Sequence, residues 1–239
     1  MMQRTKNSPL ILQSALLFLL LFILVSKSNV CAQALPPAKL DGFVYGRHRV
    51  NWDAILIEAF VDPVCPDSRD AWPPLKQALE HYGSRVALVV HLLPLPYHDY
   101  AFASSRAIHI VNNLNSSATF EILEWFFKHQ EKFYNAQTLN LSKASVIDEI
   151  VKSVAEVVGK SYYGAVRSGF NDRNTDLKTR VSFKYSALRG VYGTPTFFLN
   201  GFVLPDAGSA LDFADWKTII DPLIGRKGPK REDNVHFFL

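Results

Sequence analysis

The sequence is poor in cysteine. Only two of its 239 residues are cysteines, and Cys31 falls within an N-terminal segment that has the features of a secretory leader. Removal of that leader leaves Cys65 alone, which excludes the intrachain disulfide framework common in secreted domains. A lone cysteine in an oxidising compartment can form unwanted disulfides with other molecules. Cys65 is therefore either buried and inert or retained for its reactivity.

The sequence also lacks the motifs of several functional classes. It contains no Gly-rich phosphate loop, no Ser-His-Asp order and no paired carboxylates, and its seven histidines have no ligand spacing, so no metal site is predicted. The leader holds three of the 26 basic residues and none of the 22 acidic ones, so the remaining chain is nearly neutral. This balance gives no electrostatic case for a nucleic-acid or membrane partner.

Residues 1–34 resemble a secretory signal peptide. Arg4 and Lys6 form a basic start, residues 10–25 are largely apolar, and Ala-Gln-Ala at 32–34 is a small-x-small cleavage site. An uncleaved anchor is the alternative, but the apolar stretch is interrupted and shorter than the roughly 20 residues of a spanning helix. We therefore expect cleavage and passage into the secretory pathway, ending outside the cell or in the endoplasmic reticulum lumen.

The rest of the chain predicts one domain over 35–224 and a polar tail over 225–239. Two sequons predict glycosylation at Asn115 and Asn140, which is consistent with a lumenal route. The oligomeric state is left open by the sequence.

Cys65 lies between a predicted strand and a predicted helix. Residues 55–61 are apolar and β-prone, and Asp62-Pro63 ends that run. Pro66 is suited to the first position of a helix, here predicted over 66–82, so Cys65 is its expected N-cap. A thiol at this end faces the positive end of the helix dipole, which favours the thiolate.

Two neighbours of Cys65 modify this expectation. Ser68 occupies the position where a second cysteine would complete Cys-x-x-Cys, so a dithiol cycle is not expected. Its hydroxyl is predicted to donate a hydrogen bond to the sulfur. The Asp67 carboxylate opposes the thiolate by like-charge repulsion, or else simply complements the helix N-terminus.

A second motif lies far downstream, at residues 191–201. Gly193-Thr194-Pro195 predicts a turn that enters a short apolar strand, and Asn-Gly at 200–201 predicts a tight hairpin. Together with Cys-Pro-x-Ser at 65–68, this motif resembles the thioredoxin superfamily, and the spacing resembles its DsbA-like branch. The resemblance covers about residues 43–224. It implies a cis-proline loop at Thr194-Pro195 that packs against Cys65.

The predicted fold is α/β. It is a thioredoxin fold with a helical insertion, at about 100–188, between the second core strand and the cis-Pro loop. Further strands are predicted at 43–50 and 86–93, and a last helix at 211–224. Pro73 and Pro74 are expected to kink the helix that follows Cys65.

Three apolar faces at helical spacing are predicted within the insertion. The first is predicted to start at a Ser142 cap and end at Gly159. The members of the three faces are Val146, Ile147, Ile150, Val151, Val154, Val157 and Val158; Phe120, Leu123, Phe126, Phe127 and Tyr134; and Leu177, Val181, Tyr185 and Leu188.

The resemblance implies a monothiol thiol–disulfide oxidoreductase, in which Cys65 forms mixed disulfides that an external thiol such as glutathione resolves. Its partners would be thiol- or disulfide-containing polypeptides or glutathione, and no tightly bound cofactor is expected. The alternatives are a non-catalytic module that holds polypeptides or a small ligand in the same groove, and a purely structural cysteine. The residues assigned to catalysis are Cys65, Ser68 and Pro195, and those assigned to substrate binding are Pro66, Asp67, Gly193 and Thr194.

Overall fold

The structure is a computed structural model that describes residues 39–46, 53–205 and 209–224. The predicted leader and C-terminal tail lie outside the described residues, as does the second half of the predicted strand at 43–50. Chain contacts divide the protein into a unit of residues 1–40 and a unit of residues 41–239. All the described strands and helices belong to the second unit.

Five strands form one mixed sheet in the order β1-β3-β2-β4-β5. The central pair, β2 and β3, is parallel, and every other neighbouring pair is antiparallel. β2 and β3 are mostly buried, in keeping with their largely apolar sequences. The strands are β1 Phe43–Val44, β2 Ile55–Val61, β3 Val86–Leu92, β4 Thr196–Leu199 and β5 Phe202–Val203.

Eight α-helices accompany the sheet within the described residues, and α2 to α7 form the helical insertion between β3 and β4. The α/β thioredoxin fold with its insertion is confirmed. The helices are α1 Pro66–Tyr82, α2 Ala101–Leu114, α3 Thr119–His129, α4 Asn135–Thr138, α5 Lys143–Val158, α6 Tyr163–Gly169, α7 Arg173–Leu188 and α8 Phe213–Ile224.

Two of the three predicted apolar faces enter the core. On α5, Val146, Ile150 and Val154 are fully or almost fully buried, and the helix begins at the Ser142 cap, which accepts a hydrogen bond from the Ser145 N–H. On α3, Phe126 and Phe127 are buried. These faces could be predicted from the sequence because large apolar side chains recur at the helical period.

The predicted face of α7 is wrong at Leu177 and Leu188, whereas Val181 and Tyr185 are partly buried and Tyr185 packs against the cluster around Phe60. Leu188 is 87 % exposed and Leu177 is 44 % exposed. The helix instead buries a row of small hydroxyl side chains, two of which donate hydrogen bonds to backbone carbonyls four residues earlier. Satisfied in this way, the hydroxyls can be buried without leaving polar atoms unpaired. The row consists of Thr175, Thr179, Ser182 and Ser186.

Glycine is important at two places in the fold. A Cβ at Gly42 would lie 2.6 Å from Val89 Cγ1 and 2.8 Å from the His91 ring, so only glycine lets this segment cross β3. Asn200 and Gly201 both have positive φ and close the predicted two-residue hairpin between β4 and β5. In the part of the chain that the structure describes, none of the helices is both long and apolar enough to traverse a bilayer.

Candidate active site

The turn from Asp62 to Ser68, called the cysteine turn below, connects the end of β2 to α1. Asp62 is fully buried, and its carboxylate organises the turn. Oδ1 accepts a hydrogen bond from the Val64 N–H at 2.8 Å, and Oδ2 accepts one from the Leu95 N–H at 3.1 Å. His98 Nδ1 lies 2.8 Å from the same Oδ2. Asp62 therefore joins the cysteine turn to the loop that follows β3.

Cys65 is the N-cap of α1 and Pro66 is its first residue, as predicted from the sequence. The Cys65 N–H donates to the Asp62 carbonyl at 3.1 Å, and its own carbonyl accepts from the Arg69 N–H at 3.2 Å. The residue is only 3 % exposed. Its apolar neighbours form a small cluster made of Phe60, Leu93, Leu95, Val191 and Phe198.

The loop that precedes β4 covers the sulfur. The Thr194-Pro195 peptide bond is cis, and Cys65 Sγ donates a hydrogen bond to the Thr194 carbonyl at 3.3 Å. Only the protonated thiol can make this contact, because a thiolate has no hydrogen to donate. Thr196 Oγ1 donates to the Gly193 carbonyl at 2.7 Å and so fixes the turn of the loop. The structure thus brings together the two motifs, 129 residues apart.

Ser68 does not make the predicted hydrogen bond to the sulfur. Its side chain is buried, and Oγ instead accepts from the Asp62 N–H at 3.2 Å. The physical reason is that a buried N–H at the end of a strand needs an acceptor, and the Ser68 hydroxyl is within reach. Asp67, by contrast, is exposed beside Cys65.

Gln130 is a site residue that no sequence motif indicated. It is fully buried, and Nε2 donates to the carbonyls of Pro63 at 3.3 Å and Cys65 at 3.2 Å. Its Oε1 accepts from the Tyr134 hydroxyl at 2.6 Å. Gln130 follows α3, so one amide from the helical insertion holds the backbone of the cysteine turn. A glutamine with no motif around it carries no sequence signal of this role.

Two exposed tyrosines belong to the two loops that adjoin Cys65 and are called the rim below. Tyr97 is 60 % exposed and Tyr192, next to Gly193, is 83 % exposed. Burial, followed by the charges at Cys65, Asp62 and Asp67, raises the pKa of Tyr97, which places its hydroxyl in the electrostatic field of the site.

A buried charged cluster lies next to Phe60, which also belongs to the apolar cluster around Cys65. The Phe60 ring stacks on His91 with centroids 4.6 Å apart. His91 Nδ1 lies 3.1 Å from Asp41 Oδ2, and Nε2 lies 3.4 Å from Glu58 Oε1, within ion-pair range but out of line for a hydrogen bond. Arg189 contacts both Glu58 oxygens, at 3.0 and 3.1 Å.

This cluster shifts the titration of its members. The contact with His91, and then the Arg189 guanidinium, outweigh burial and lower the pKa of Glu58 to about 2. Burial disfavours the charged form of His91, but Asp41 and Glu58 together outweigh it and raise the pKa of His91. The cluster thus carries both signs of charge at neutral pH.

The remaining predicted sites lie apart from the cysteine turn. Asn140 is exposed in the segment before α5, and Asn115 is partly exposed after α2, where its Oδ1 accepts from the Ser117 N–H. Both glycosylation sites stay predictions. Within the described residues, no group of three or more histidine, cysteine, aspartate or glutamate side chains could hold a metal ion.

Comparison with known families gives one match, to the family described as thioredoxin, over residues 51–222. Comparison with curated protein sequences gives no match. Among solved structures, a proposed protein-disulfide isomerase from Pseudomonas syringae is 22 % identical, with a TM-score of 0.62 over 75 % of this chain and 98 % of the other.

Two further solved structures have the same fold. The thiol-disulfide exchange protein α-DsbA2 from Wolbachia pipientis is 15 % identical, with a TM-score of 0.56 over 76 % of this chain and 87 % of its own. A periplasmic thioredoxin-like protein from Salmonella enterica serovar Typhimurium is 14 % identical, with a TM-score of 0.54 over 77 % of this chain and 91 % of its own.

Proposed function

The chain belongs to the thioredoxin family, and from that premise we propose that it is a monothiol thiol–disulfide oxidoreductase of the DsbA-like type. One observation carries the proposal: the Cys65 thiol caps α1 and contacts the loop at Thr194-Pro195. A purely structural cysteine would require neither position. Solved structures of the same fold include a thiol-disulfide exchange protein, which agrees with this chemistry.

The proposed reaction proceeds in two exchanges. The Cys65 thiolate attacks a disulfide between a client thiol and glutathione, forming the bond between Cys65 and glutathione and releasing the client as a thiolate that takes up a proton. A second glutathione, as thiolate, then attacks this mixed disulfide. Cys65 regains its thiol, and glutathione disulfide leaves. Because Ser68 cannot serve as a resolving nucleophile, the second exchange needs this external thiol.

The site residues have distinct parts in this scheme. Cys65 is the nucleophile, and the dipole of α1 stabilises its thiolate once Sγ has lost the proton that it donates to the Thr194 carbonyl. Ser68 contributes by holding the Asp62 backbone rather than by touching the sulfur. Pro195 shapes the groove, and its lack of an N–H keeps a competing donor away from the sulfur. Pro66, Asp67, Gly193 and Thr194 would contact the substrate, since they surround the thiol.

We also propose that the protein acts in the secretory pathway, in the endoplasmic reticulum lumen or outside the cell. The leader-like segment at 1–34 and the two sequons support this location. The periplasmic neighbour is likewise a protein that acts outside the cytoplasm.

A second candidate function is a binding module that holds client polypeptides without turnover. The observation that favours it is the contrast between a thiol that is 3 % exposed and two rim tyrosines that are 60 and 83 % exposed. Exposed aromatic side chains supply binding area without chemistry. In this case Cys65 would act at most as a tether.

The deciding experiment measures glutathione-dependent reduction of a mixed disulfide between glutathione and a small thiol. We expect turnover by the native protein and a loss of at least about 100-fold in Cys65→Ser, because the only nucleophile is removed. Cys31→Ser is the matched control and should retain full activity, since Cys31 lies in the predicted leader. Activity that survives Cys65→Ser would refute the monothiol mechanism. Client binding without turnover in the native protein would identify the binding module.

A further inference from the structure

A groove with a volume of about 520 Å³ opens beside the cysteine turn. One wall is the loop after β3, from Pro94 to Asp99, and the other is α7 with Arg180, Phe183 and Lys184. The volume is within the roughly 300–1,000 Å³ of small-molecule sites. Leu95 belongs both to this groove and to the apolar cluster around Cys65, so the groove begins at the packing shell of the sulfur.

The charged groups of the groove differ in how they are engaged. Arg180 donates to Asp176 at 2.6 Å and lies over the Phe102 ring, 5.7 Å from its centroid, so its charge is already compensated. His98 is held by Asp62. Lys184, in contrast, is exposed and takes part in no ion pair or side-chain hydrogen bond among the described residues.

Asp99 provides the opposite charge. Its backbone N–H donates to Asn135, but within the described residues its carboxylate has no ion-pair partner. The groove therefore offers one unengaged cation on α7 and one unengaged anion on the facing loop. A ligand that complements both carries a carboxylate and an ammonium group, as an α-amino acid head does. Phe183, 40 % exposed, adds apolar area between the walls.

We propose that this groove binds the glutathionyl part of the mixed disulfide formed on Cys65. The γ-glutamyl head of glutathione places its carboxylate on Lys184 and its ammonium on Asp99, while its sulfur is bonded to Cys65. The proposal rests on the proposed function and deepens it, because it makes glutathione the preferred thiol partner over other small thiols. The exchange that loads the groove is balanced: the Cys65 thiol and glutathione disulfide give the Cys65–glutathione disulfide and one glutathione thiol.

The test is an equilibrium, so it does not depend on turnover. The purified protein is equilibrated with glutathione disulfide and glutathione, and the Cys65 adduct is quantified by mass spectrometry. A parallel series uses hydroxyethyl disulfide with mercaptoethanol, which has no charged groups. We expect Lys184→Gln to lower the equilibrium constant for the glutathione adduct roughly three- to fivefold, the range of one exposed ionic contact. The hydroxyethyl adduct should be unchanged.

Two companion variants make the result specific. Lys178→Gln is the matched control, because Lys178 is on the same helix but donates to Asn113 and does not line the groove. It should leave both constants unchanged. Asp99→Asn should lower the glutathione constant roughly twofold through the lost ammonium contact. A rise in the equilibrium constant for the glutathione adduct would show that the carboxylate and ammonium of the γ-glutamyl head do not lie on Lys184 and Asp99 as proposed.

The outcomes separate the two proposals. Adducts with both reagents that do not respond to Lys184→Gln would overturn the groove assignment and leave the oxidoreductase in place. Failure of the native protein to form an adduct with either reagent would instead overturn the proposed function, and the groove assignment with it.

Discussion

The cysteine turn and the rim lie within one site but differ in burial and in hydrogen bonding. In the cysteine turn, Asp62 accepts from two backbone N–H groups and contacts His98, and Gln130 donates to two carbonyls. At the rim, Tyr97 and Tyr192 are largely exposed. The turn positions the thiol by satisfying buried polar groups, and the rim offers surface to whatever approaches the thiol.

The difference follows from where each region lies in the fold. The cysteine turn follows β2, whose last five residues are buried, so each buried polar atom of the turn requires a partner inside the protein. Substitutions of these buried groups should therefore act first on stability. The rim belongs to loops that water can satisfy, so substitutions there should act on binding and leave stability nearly unchanged.

The largest effect on stability is expected for Asp62→Asn. The asparagine side chain is uncharged, and its NH₂ group must replace one of the two carboxylate oxygens. That NH₂ group would then face a group that also donates, either the Val64 N–H or the Leu95 N–H and His98. Each hydrogen bond to a charged group is worth about 1.5–3 kcal/mol, and three contacts of the carboxylate are weakened or lost, so we expect a loss of about 3–5 kcal/mol. Urea unfolding followed by circular dichroism measures this change in the free energy of unfolding.

The neighbouring exposed carboxylate provides the control for that experiment. Asp67→Asn should change the free energy of unfolding by less than about 0.5 kcal/mol, as is usual at the surface. Equal effects of the two substitutions would show that Asp62 does not organise the turn and would remove the contrast between the two regions.

A second, smaller effect concerns pH and the charged cluster next to Phe60. The pKa of Glu58 is lowered from 4.5 to about 2, so its contribution to stability is complete above pH 4.5 and is lost as the pH falls toward 2. A shift of this size corresponds to a contribution on the order of 3 kcal/mol. Unfolding measured between pH 7 and 2 should show this loss, and Glu58→Gln should remove most of the acid dependence.

The alkaline side of the same profile tests the partner of Glu58. Because the pKa of His91 is raised above 6.5, its contribution is complete below 6.5 and is lost as the pH rises through the folded value. Stability should therefore decline in both directions from the range between these two transitions. If the stability of Glu58→Gln falls with decreasing pH as steeply as that of the native protein, other carboxylates cause the acid dependence.

The backbone frame of the site was predictable from the sequence, and its side-chain network was not. Residues 55–61 and 66–82 were predicted with the observed bounds, because β-prone residues, Asp62-Pro63 and Pro66 are strong local signals. The cis peptide bond at Thr194-Pro195 followed from the family resemblance. Local signals and a known motif together determined where the thiol would lie.

Gln130, the Ser68 acceptor role and the α7 face depend on long-range packing. Gln130 contacts a carbonyl 67 residues away, and no periodicity encodes such a pair. The α7 prediction failed at Leu177 and Leu188 because it considered hydrophobicity alone, whereas Thr179 and Ser186 could be buried once they bonded to their own backbone. Hydrophobic patterning identifies large apolar contacts and misses small, satisfied polar ones.

The smallest expected effect on stability tests the rim itself. Tyr192 is 83 % exposed, so Tyr192→Ala should change the free energy of unfolding by less than about 0.5 kcal/mol. It adjoins Gly193 and Thr194, whose carbonyls shape the loop over the sulfur, so a bound polypeptide would pass the ring. Since aromatic side chains dominate binding surfaces, mixed-disulfide formation with an unfolded polypeptide should slow roughly fivefold. Reaction with glutathione disulfide should keep its rate, because a small reagent does not need the rim.

Tyr163→Ala, at a tyrosine 38 % exposed on α6, is the matched control and should change neither rate. Equal slowing with both reagents would mean that Tyr192 acts on the thiol rather than on the polypeptide, and the division between the cysteine turn and the rim would not hold.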